Sequence, residues 1–315
     1  MVDSVRETAR GASQVREIKQ GRPHQYVLGR YAEPIASVDP GEMIAIDAED
    51  AFNGKIRAET DLPSTVLTGP PNPQTGPIYV NGAEPGDTLV VDLVAIEATR
   101  DWAVSALTPY FGGLTSTALT RSLQEPLPEK VWIYTLHDGM FRWHDFAIPW
   151  QPFAGTMGTA PQMEALSALI ASTHGGNMDV PEVCPGNRMY FPVSVPGAYF
   201  FAGDCHGAQG LGELGGSALE ITGKYTLVFD LLKGKTITWP RIESETEIMV
   251  VGSARPMEDA ARIAYAELVL WLEEDYHLNR WDAYQLLTQV GRLSVGNMVD
   301  PNYSLVAAVA KRFIP

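Results

Sequence analysis

The sequence predicts a mainly β protein: a sandwich- or barrel-like β body with an α+β unit at its C-terminal end. Three observations carry that reading. Between Gly21 and Phe201 the chain is a series of short apolar runs, four to eight residues long, rich in β-branched and aromatic types and punctuated by Pro and Gly. Sustained helical periodicity is confined almost entirely to the residues after 255. Many strand signals with few helical ones point to sheets closed or packed on themselves.

Taken in order, residues 1–21 carry charge throughout and no apolar stretch, which excludes a secretory leader and predicts an arm. Strands are expected at EMIAI (42–46), PIYV (77–80), TLVVDLVAI (88–96), KVWIYTL (130–136), RMYFPVSV (188–195) and AYFFAG (198–203). Asn81-Gly82 and Pro85-Gly86-Asp87 are turn chemistry, and the run that follows them alternates as a half-buried strand does. PQMEALSALIAST (161–173) places Met163, Leu166, Leu169 and Ile170 on one helical face, so a helix is expected there.

Residues 22–240 therefore read as one β-rich body and 241–315 as an α+β unit integrated with it. In the latter, ETEIMVVG (245–252) is a strand, and Pro256 with Glu258 and Asp259 opens a largely buried helix through Tyr276. Asn279 caps a second helix, Ala283, Leu286, Leu287 and Val290 form its apolar face, and Gly291 closes it before the strand RLSVGNMV (292–299).

The totals exclude several functions. The 315 residues, 45% hydrophobic, can bury a large core. A formal charge of −15, from 23 basic and 38 acidic residues without a Lys/Arg run, repels a phosphate backbone, so no nucleic-acid partner is expected. No 18 apolar residues run together, so no membrane partner is expected either. Cys184 and Cys205 alone make no disulfide framework, which predicts a cytoplasmic protein.

The stretch GDCHGAQGLGELGG (203–216) offers two chemistries. From Gly210 it is a literal G-x-G-x-x-G, the dinucleotide fingerprint. That reading needs a helix directly afterwards, and only SALEIT precedes Gly223 and the β-rich KYTLVFDLL, which leaves no room for a crossover helix. From Asp204, the same letters set Asp204, His206 and Glu213 on a glycine-rich backbone that can approach a ligand closely. HGGNMD (174–179) repeats the composition with His174, Asn177 and Asp179. DAEDAFNGK (47–55) adds Asp47, Glu49, Asp50 and Asn53, and fails as an EF-hand at Ala51 and Phe52. Mixed imidazole and carboxylate donors suit a divalent ion, zinc in preference to calcium.

These motifs together resemble the acetamidase/formamidase family of amide hydrolases. The resemblance is carried by PNPQTGPIYVNGAEPGDTLVVDLVAIE (71–97), HGGNMD (174–179), GNRMYFPVSVPGAYFFAGDCHGAQGLGELGGSALEI (186–221) and, more faintly, VDPGEMIAIDAEDAFNGKI (38–56). It implies hydrolysis of short-chain aliphatic amides such as formamide and acetamide to acid and ammonia, in a mainly β fold with bound divalent metal. Asp50, His174, Asp179, Asp204, His206 and Glu213 stand at the family's polar motif positions, with Asn177 and Glu220 beside them as substrate-contacting or supporting residues. One departure is Leu211, where the family's QGDGE has Asp.

The expectation is that His206, His174 and one or more of Asp50, Asp179 and Asp204 hold the ion. Glu213 then takes the proton of an activated water and returns it to departing ammonia, with Asp204 and His206 part of the same catalytic group. Two alternatives stay open: a cysteine amidase with Cys205 as nucleophile, and a non-catalytic metal-binding β protein. A closed homo-oligomer, a dimer or higher, is also expected.

Overall fold

The computed structural model describes residues 15–115 and 126–315. Strands arranged in several sheets hold 40% of the chain and helices only 13%, with a pair of helices near the C-terminal end, so the fold is mainly β. The largest sheet has nine strands, in the order Arg16–Ile18, Met43–Ala48, Gly223–Leu232, Thr88–Ala98, Arg188–Pro192, Arg241–Glu243, Glu247–Ala254, Tyr303–Ala310 and Arg292–Asn297. A six-stranded sheet runs Ala171–Ser172, Gly175–Asn177, Phe153–Gly158, Phe200–His206, Gln74–Val80 and Ala36–Val38. Trp102–Leu107, Lys130–His137, Met140–Trp143 and Phe146–Pro149 form a four-stranded meander.

The two larger sheets share one core. Gly223–Leu232 shows how the sequence dictates this: Tyr225, Leu227 and Phe229 alternate with partly exposed residues and point to one face, as a period of two requires. They meet Ile78, Ala154, Met157, Phe200 and Ala202 from the six-stranded sheet in a single apolar cluster. Each fully buried Leu, Ile or Phe there contributes about 1.5–3 kcal/mol relative to exposure, so this core fixes the six-stranded sheet against the larger one.

Strands after residue 240 extend the nine-stranded sheet. They read as nearly continuous apolar runs because both faces are covered: Met249, Val251, Val306 and Ala308 join the shared core. Ile248, Val250, Ala307 and Val309 pack against the helices. With α1 the single turn Pro63–Val66, those helices are α2 (Met257–Tyr276) and α3 (Arg280–Val290). Asn279 accepts the Trp281 backbone N–H at the start of α3. Gly291 ends α3 in an extended conformation, φ −65°, so its need for glycine is spatial: a Cβ would lie 2.4 Å from the Leu287 carbonyl oxygen.

Two expectations are corrected. The helix over 161–173 is absent; the segment contains the short strands Leu166–Ser167 and Ala171–Ser172. Its carbonyls are engaged elsewhere: Ala168 accepts the Asn72 side-chain amide and Ile170 accepts the Asn177 backbone N–H, bonds that a helix would have needed internally. Of the arm expected over 1–21, residues 1–14 lie outside the described residues, while Arg16–Ile18 pairs in parallel with Ile44–Ile46 as a sheet strand. Among the described residues no helix is long and apolar enough to cross a membrane.

Candidate metal centre

The site is built at the C-terminal end of the Phe200–His206 strand. Successive side chains of a strand alternate, so Asp204 and His206 share one face while Cys205 turns to the other. On the adjoining strand, Phe153–Gly158, Gly155 presents no side chain: a Cβ there would lie 2.6 Å from Asp204 Oδ2 and 2.9 Å from both Asp179 Oδ1 and His206 Cε1. Asp179 follows the Gly175–Asn177 strand and donates its backbone N–H to the Gly155 carbonyl at 3.0 Å. Glu213 and Glu220 arrive from the loop after His206, which contains no helix, so the G-x-G-x-x-G there binds no dinucleotide in the usual way. Glu220 is anchored by reciprocal backbone bonds to Val104. Asp300, from the turn between the last two strands in the chain, completes the group.

Three overlapping sets of donor atoms lie within 4.8 Å of one another: Asp179, Asp204 and His206; His206, Glu213 and Glu220; Asp179, Glu213 and Asp300. All are buried. Asp179, Asp204 and Glu213 adopt left-handed backbone conformations, with φ of 49°, 59° and 49°. Such residues cost of order 1–3 kcal/mol each and concentrate at functional sites.

Asp179, Asp300 and His206 are each positioned by residues outside the cluster. Asn177 donates through Nδ2 to Asp179 Oδ2 at 3.0 Å and to Asp300 Oδ2 at 2.7 Å, and Asn297 donates to Asp179 Oδ2 at 3.1 Å. The Asn177 amide oxygen accepts from Asn72 at 2.7 Å and from the Thr156 hydroxyl. Gln209 Nε2 donates to the carbonyls of Asp179 and Gly296, both at 3.0 Å, which leaves its Oε1 facing His206 Nδ1 at 2.9 Å. An acceptor at that position puts the proton on Nδ1 and leaves Nε2 for the cluster. The edge-on Phe153 ring, 4.8 Å away, holds the imidazole plane.

What stays unpartnered is informative. Asp179 Oδ1, Asp204 Oδ1 and His206 Nε2 are buried and make no well-aligned hydrogen bond within the protein, although His206 Nε2 lies 3.3 Å from Asp204 Oδ1 and 3.4 Å from Glu220 Oε1. Buried polar groups are ordinarily satisfied, so three such atoms on residues grouped beside Gly155 fit a cation with oxygen and nitrogen ligands.

The electrostatics agree. Burial raises the Asp179 carboxyl well above the usual range, and the charges of Glu213, Asp300 and Asp204 add to that. Burial likewise raises Glu213, against the pull of His206. It lifts Glu220 to about 8 and Asp300 to about 6. For His206, burial works downward, but the Glu220 and Asp204 carboxylates prevail and lift it to about 10.

The structure brings together Asp179, Asp204, His206, Glu213 and Glu220, with Asn177 supporting them. It leaves two expected ligands outside. Asp50 Oδ2 meets the Arg100 guanidinium at 2.5 Å, and Oδ1 accepts from the Phe52 and Gly54 backbones at 2.8 and 3.1 Å. Its oxygens are thus occupied, and through Arg100, which also donates to the Glu220 carbonyl at 2.9 Å, Asp50 steadies the loop rather than an ion. His174 is buried with neither ring nitrogen partnered, belongs to none of the three sets, and is pushed down to about 4 by burial. Leu211 is 64% exposed, so the missing family Asp would not have faced the cluster. Cys205 is fully buried, which raises its thiol, and it faces Gly223 and Tyr225 in the core.

Sequence reasoning missed Asp300, Gly155, Asn72 and Gln209. Gln209, three residues after His206 in the same loop, was within reach of a careful reading. Asp300 stands in VDPN, without the glycines or histidine that marked the other loops.

A cavity of about 270 Å³ opens beside the cluster, lined by Asp204, His206, Glu213, Glu220, Asp300 and Asn177 on its polar side. This arrangement, a carboxylate-rich cluster that could hold a metal ion on a mainly β scaffold, stands in a chain that one family model matches over most of its length. The profile of the Acetamidase/Formamidase family matches residues 24–173 and 164–267, and the chain belongs to that family. The crystal structure of an acetamidase from Yersinia enterocolitica superposes with a TM-score of 0.94 at 40% identity, covering 98% of this chain and 95% of that one. An acetamidase from Bacillus halodurans gives 0.87 at 28% identity, covering 94% and 98%. The chain is 27% identical over 268 residues to the acetamidase of Mycolicibacterium smegmatis, 65% of this chain and 64% of that protein. It spans 61–64% of the length of the curated relatives it matches.

Proposed function

We propose that the protein is a metal-dependent amidase that hydrolyses linear carboxamides, formamide and acetamide being the smallest, to a carboxylic acid and ammonia. One observation carries the metal: Asp179, Asp204 and His206, whose donor atoms lie within 4.8 Å of one another, each keep a buried atom without a hydrogen bond, and Gly155 beside them carries no side chain. Family membership supports the amide.

In this reading Asp179, Asp204 and His206 hold the ion, which when bound lowers the pKa of a coordinated water toward about 7 and polarises a carbonyl. The residues around it do the rest. Glu213, buried and in the cavity wall, takes one proton from the attacking water as the C–O bond forms. It returns that proton to the amide nitrogen as the C–N bond breaks and ammonia leaves. Burial favours the protonated carboxyl needed in the second half of this cycle. Glu220 and Asp300 lie next to Glu213 and set its charge environment. Asn177 holds Asp179 and Asp300 in place through its two donated bonds.

A Cys205 mechanism has no support, since a fully buried thiol facing the core cannot meet a substrate in the cavity. A purely structural ion fits poorly beside an open cavity, because structural sites are closed by protein ligands.

The test is ammonia release from a series of amides, before and after chelation. Release that chelation abolishes and added metal restores is the expected result. Glu213→Gln should lower kcat by about 10²–10⁴-fold with metal content intact. An active Gln variant would assign the proton transfers elsewhere, and release indifferent to chelators would remove the ion from the mechanism.

A further inference from the structure

The cavity beside the metal centre is too large and too apolar for the smallest amides. Its volume is about 270 Å³, whereas a water occupies about 30 Å³ of liquid and acetamide has only four heavy atoms. Away from the carboxylates its wall is mainly Phe52, Pro63, Leu67, Pro71, Phe111 and Leu169, with Asn72, Thr108 and Ser217 among them. A one-carbon acyl group such as that of formamide has no apolar surface to bury against these side chains.

The apolar wall is set by the fold. Phe52 is buried and Leu67 half-buried, and both pack in a cluster with Ile56, Val104 and Val131. Pro63 opens α1 and Leu67 follows it, with the Leu67 N–H bonded to the Pro63 carbonyl. Leu169 is brought in by the segment that forgoes a helix, where Asn72 and Asn177 bind the neighbouring Ala168 and Ile170 carbonyls. These residues are held by packing and hydrogen bonds, so the volume is a preformed feature of the kind that selects ligands by shape.

We propose that the site is built for primary carboxamides with an apolar acyl group of roughly four to seven carbons, aliphatic or aromatic, in preference to formamide and acetamide. This rests on the amidase reading. The carboxamide end faces the carboxylate cluster, and the acyl chain lies along Phe52, Leu67, Phe111 and Leu169. Each methylene that leaves water against that wall should raise kcat/KM by roughly fourfold until the cavity is full.

The experiment measures kcat/KM by ammonia release for formamide, acetamide, propionamide, butyramide, hexanamide and benzamide, using metal-loaded protein. The expected result is a rise through butyramide to hexanamide, with benzamide accepted. Leu169→Trp, which fills part of the cavity, should lower the hexanamide-to-acetamide ratio by at least about tenfold, the loss of about two methylenes of contact. Phe111→Ala should shift the optimum toward longer chains. Ammonia from formamide and acetamide with kcat/KM falling as the chain lengthens overturns this inference and leaves the amidase reading standing. A ratio unmoved by both variants also overturns it. No ammonia from any amide overturns the amidase reading, and this inference with it.

Discussion

Gly155 carries no functional group, yet it is the residue on which the centre depends most simply. Its backbone lies outside the left-handed region, so alanine would cost nothing in backbone strain, and the whole effect of the substitution falls on the space between Asp179, Asp204 and His206. Overpacking of this kind costs about 1–3 kcal/mol. Here it is directed at the proposed ligand residues, so Gly155→Ala should lose metal affinity by at least about 10–100-fold, as disturbing the surroundings of ligands does. Bound metal per chain after dialysis, compared with an unchanged far-ultraviolet circular dichroism spectrum, checks this. Full metal content at unchanged affinity would place the ion away from Gly155. At this scale the sequence was readable where chemistry and glycine stood together, as in GDCH and HGGNMD. Asp50 and His174 stand outside the three donor sets: the Asp50 carboxylate meets an arginine fifty positions away, and His174 lies just before the Gly175–Asn177 strand.

Elements were most legible where local chemistry determines them. The helix α3 begins at its Asn cap, and Gly223–Leu232 alternates because one face is core and the other is not. The segment 161–173 shows the opposite case, in which helical spacing lost to the Asn72 side-chain amide and the Asn177 backbone N–H that took its carbonyls. Tertiary ties of the same sort join other elements. Glu243 accepts from Lys311 Nζ and from the Tyr190 hydroxyl, both at 2.6 Å, linking three elements. Burial alone would raise its carboxyl, but these partners hold it below the usual range. A depressed folded-state pKa stabilises above the unfolded value of about 4.3 and ceases to do so as pH falls through the folded value. Glu243→Gln should therefore cost about 1–2 kcal/mol at pH 7, a gap constant down to about pH 5 that narrows below about pH 4. Urea unfolding of both proteins across that range measures it; a gap that widens on acidification would contradict the assignment.

On the scale of the whole molecule, the centre exists only when the chain is folded. Its donors come from positions 179 to 300, brought together by the six-stranded sheet, the loop after it and a turn of the nine-stranded sheet. No single stretch of sequence holds the site, which is why Asp300 could not be read in advance. The cluster sets five carboxylates against one imidazole in a chain already at −15, so in the absence of a countercharge it opposes folding. An ion that binds the folded chain and not the unfolded one adds about 2.7 kcal/mol at a hundred times its Kd. For a chain of this size that raises the unfolding midpoint by roughly 4 °C. Scanning calorimetry with chelator, then with zinc, manganese or calcium at equal concentration, should show the lowest midpoint with chelator. A histidine ligand predicts a larger rise with zinc than with calcium. A larger rise with calcium would mean that the carboxylates alone define the site and that His206 stands outside it. A midpoint indifferent to chelator and to every ion would mean that the unpartnered atoms of Asp179, Asp204 and His206 hold no cation.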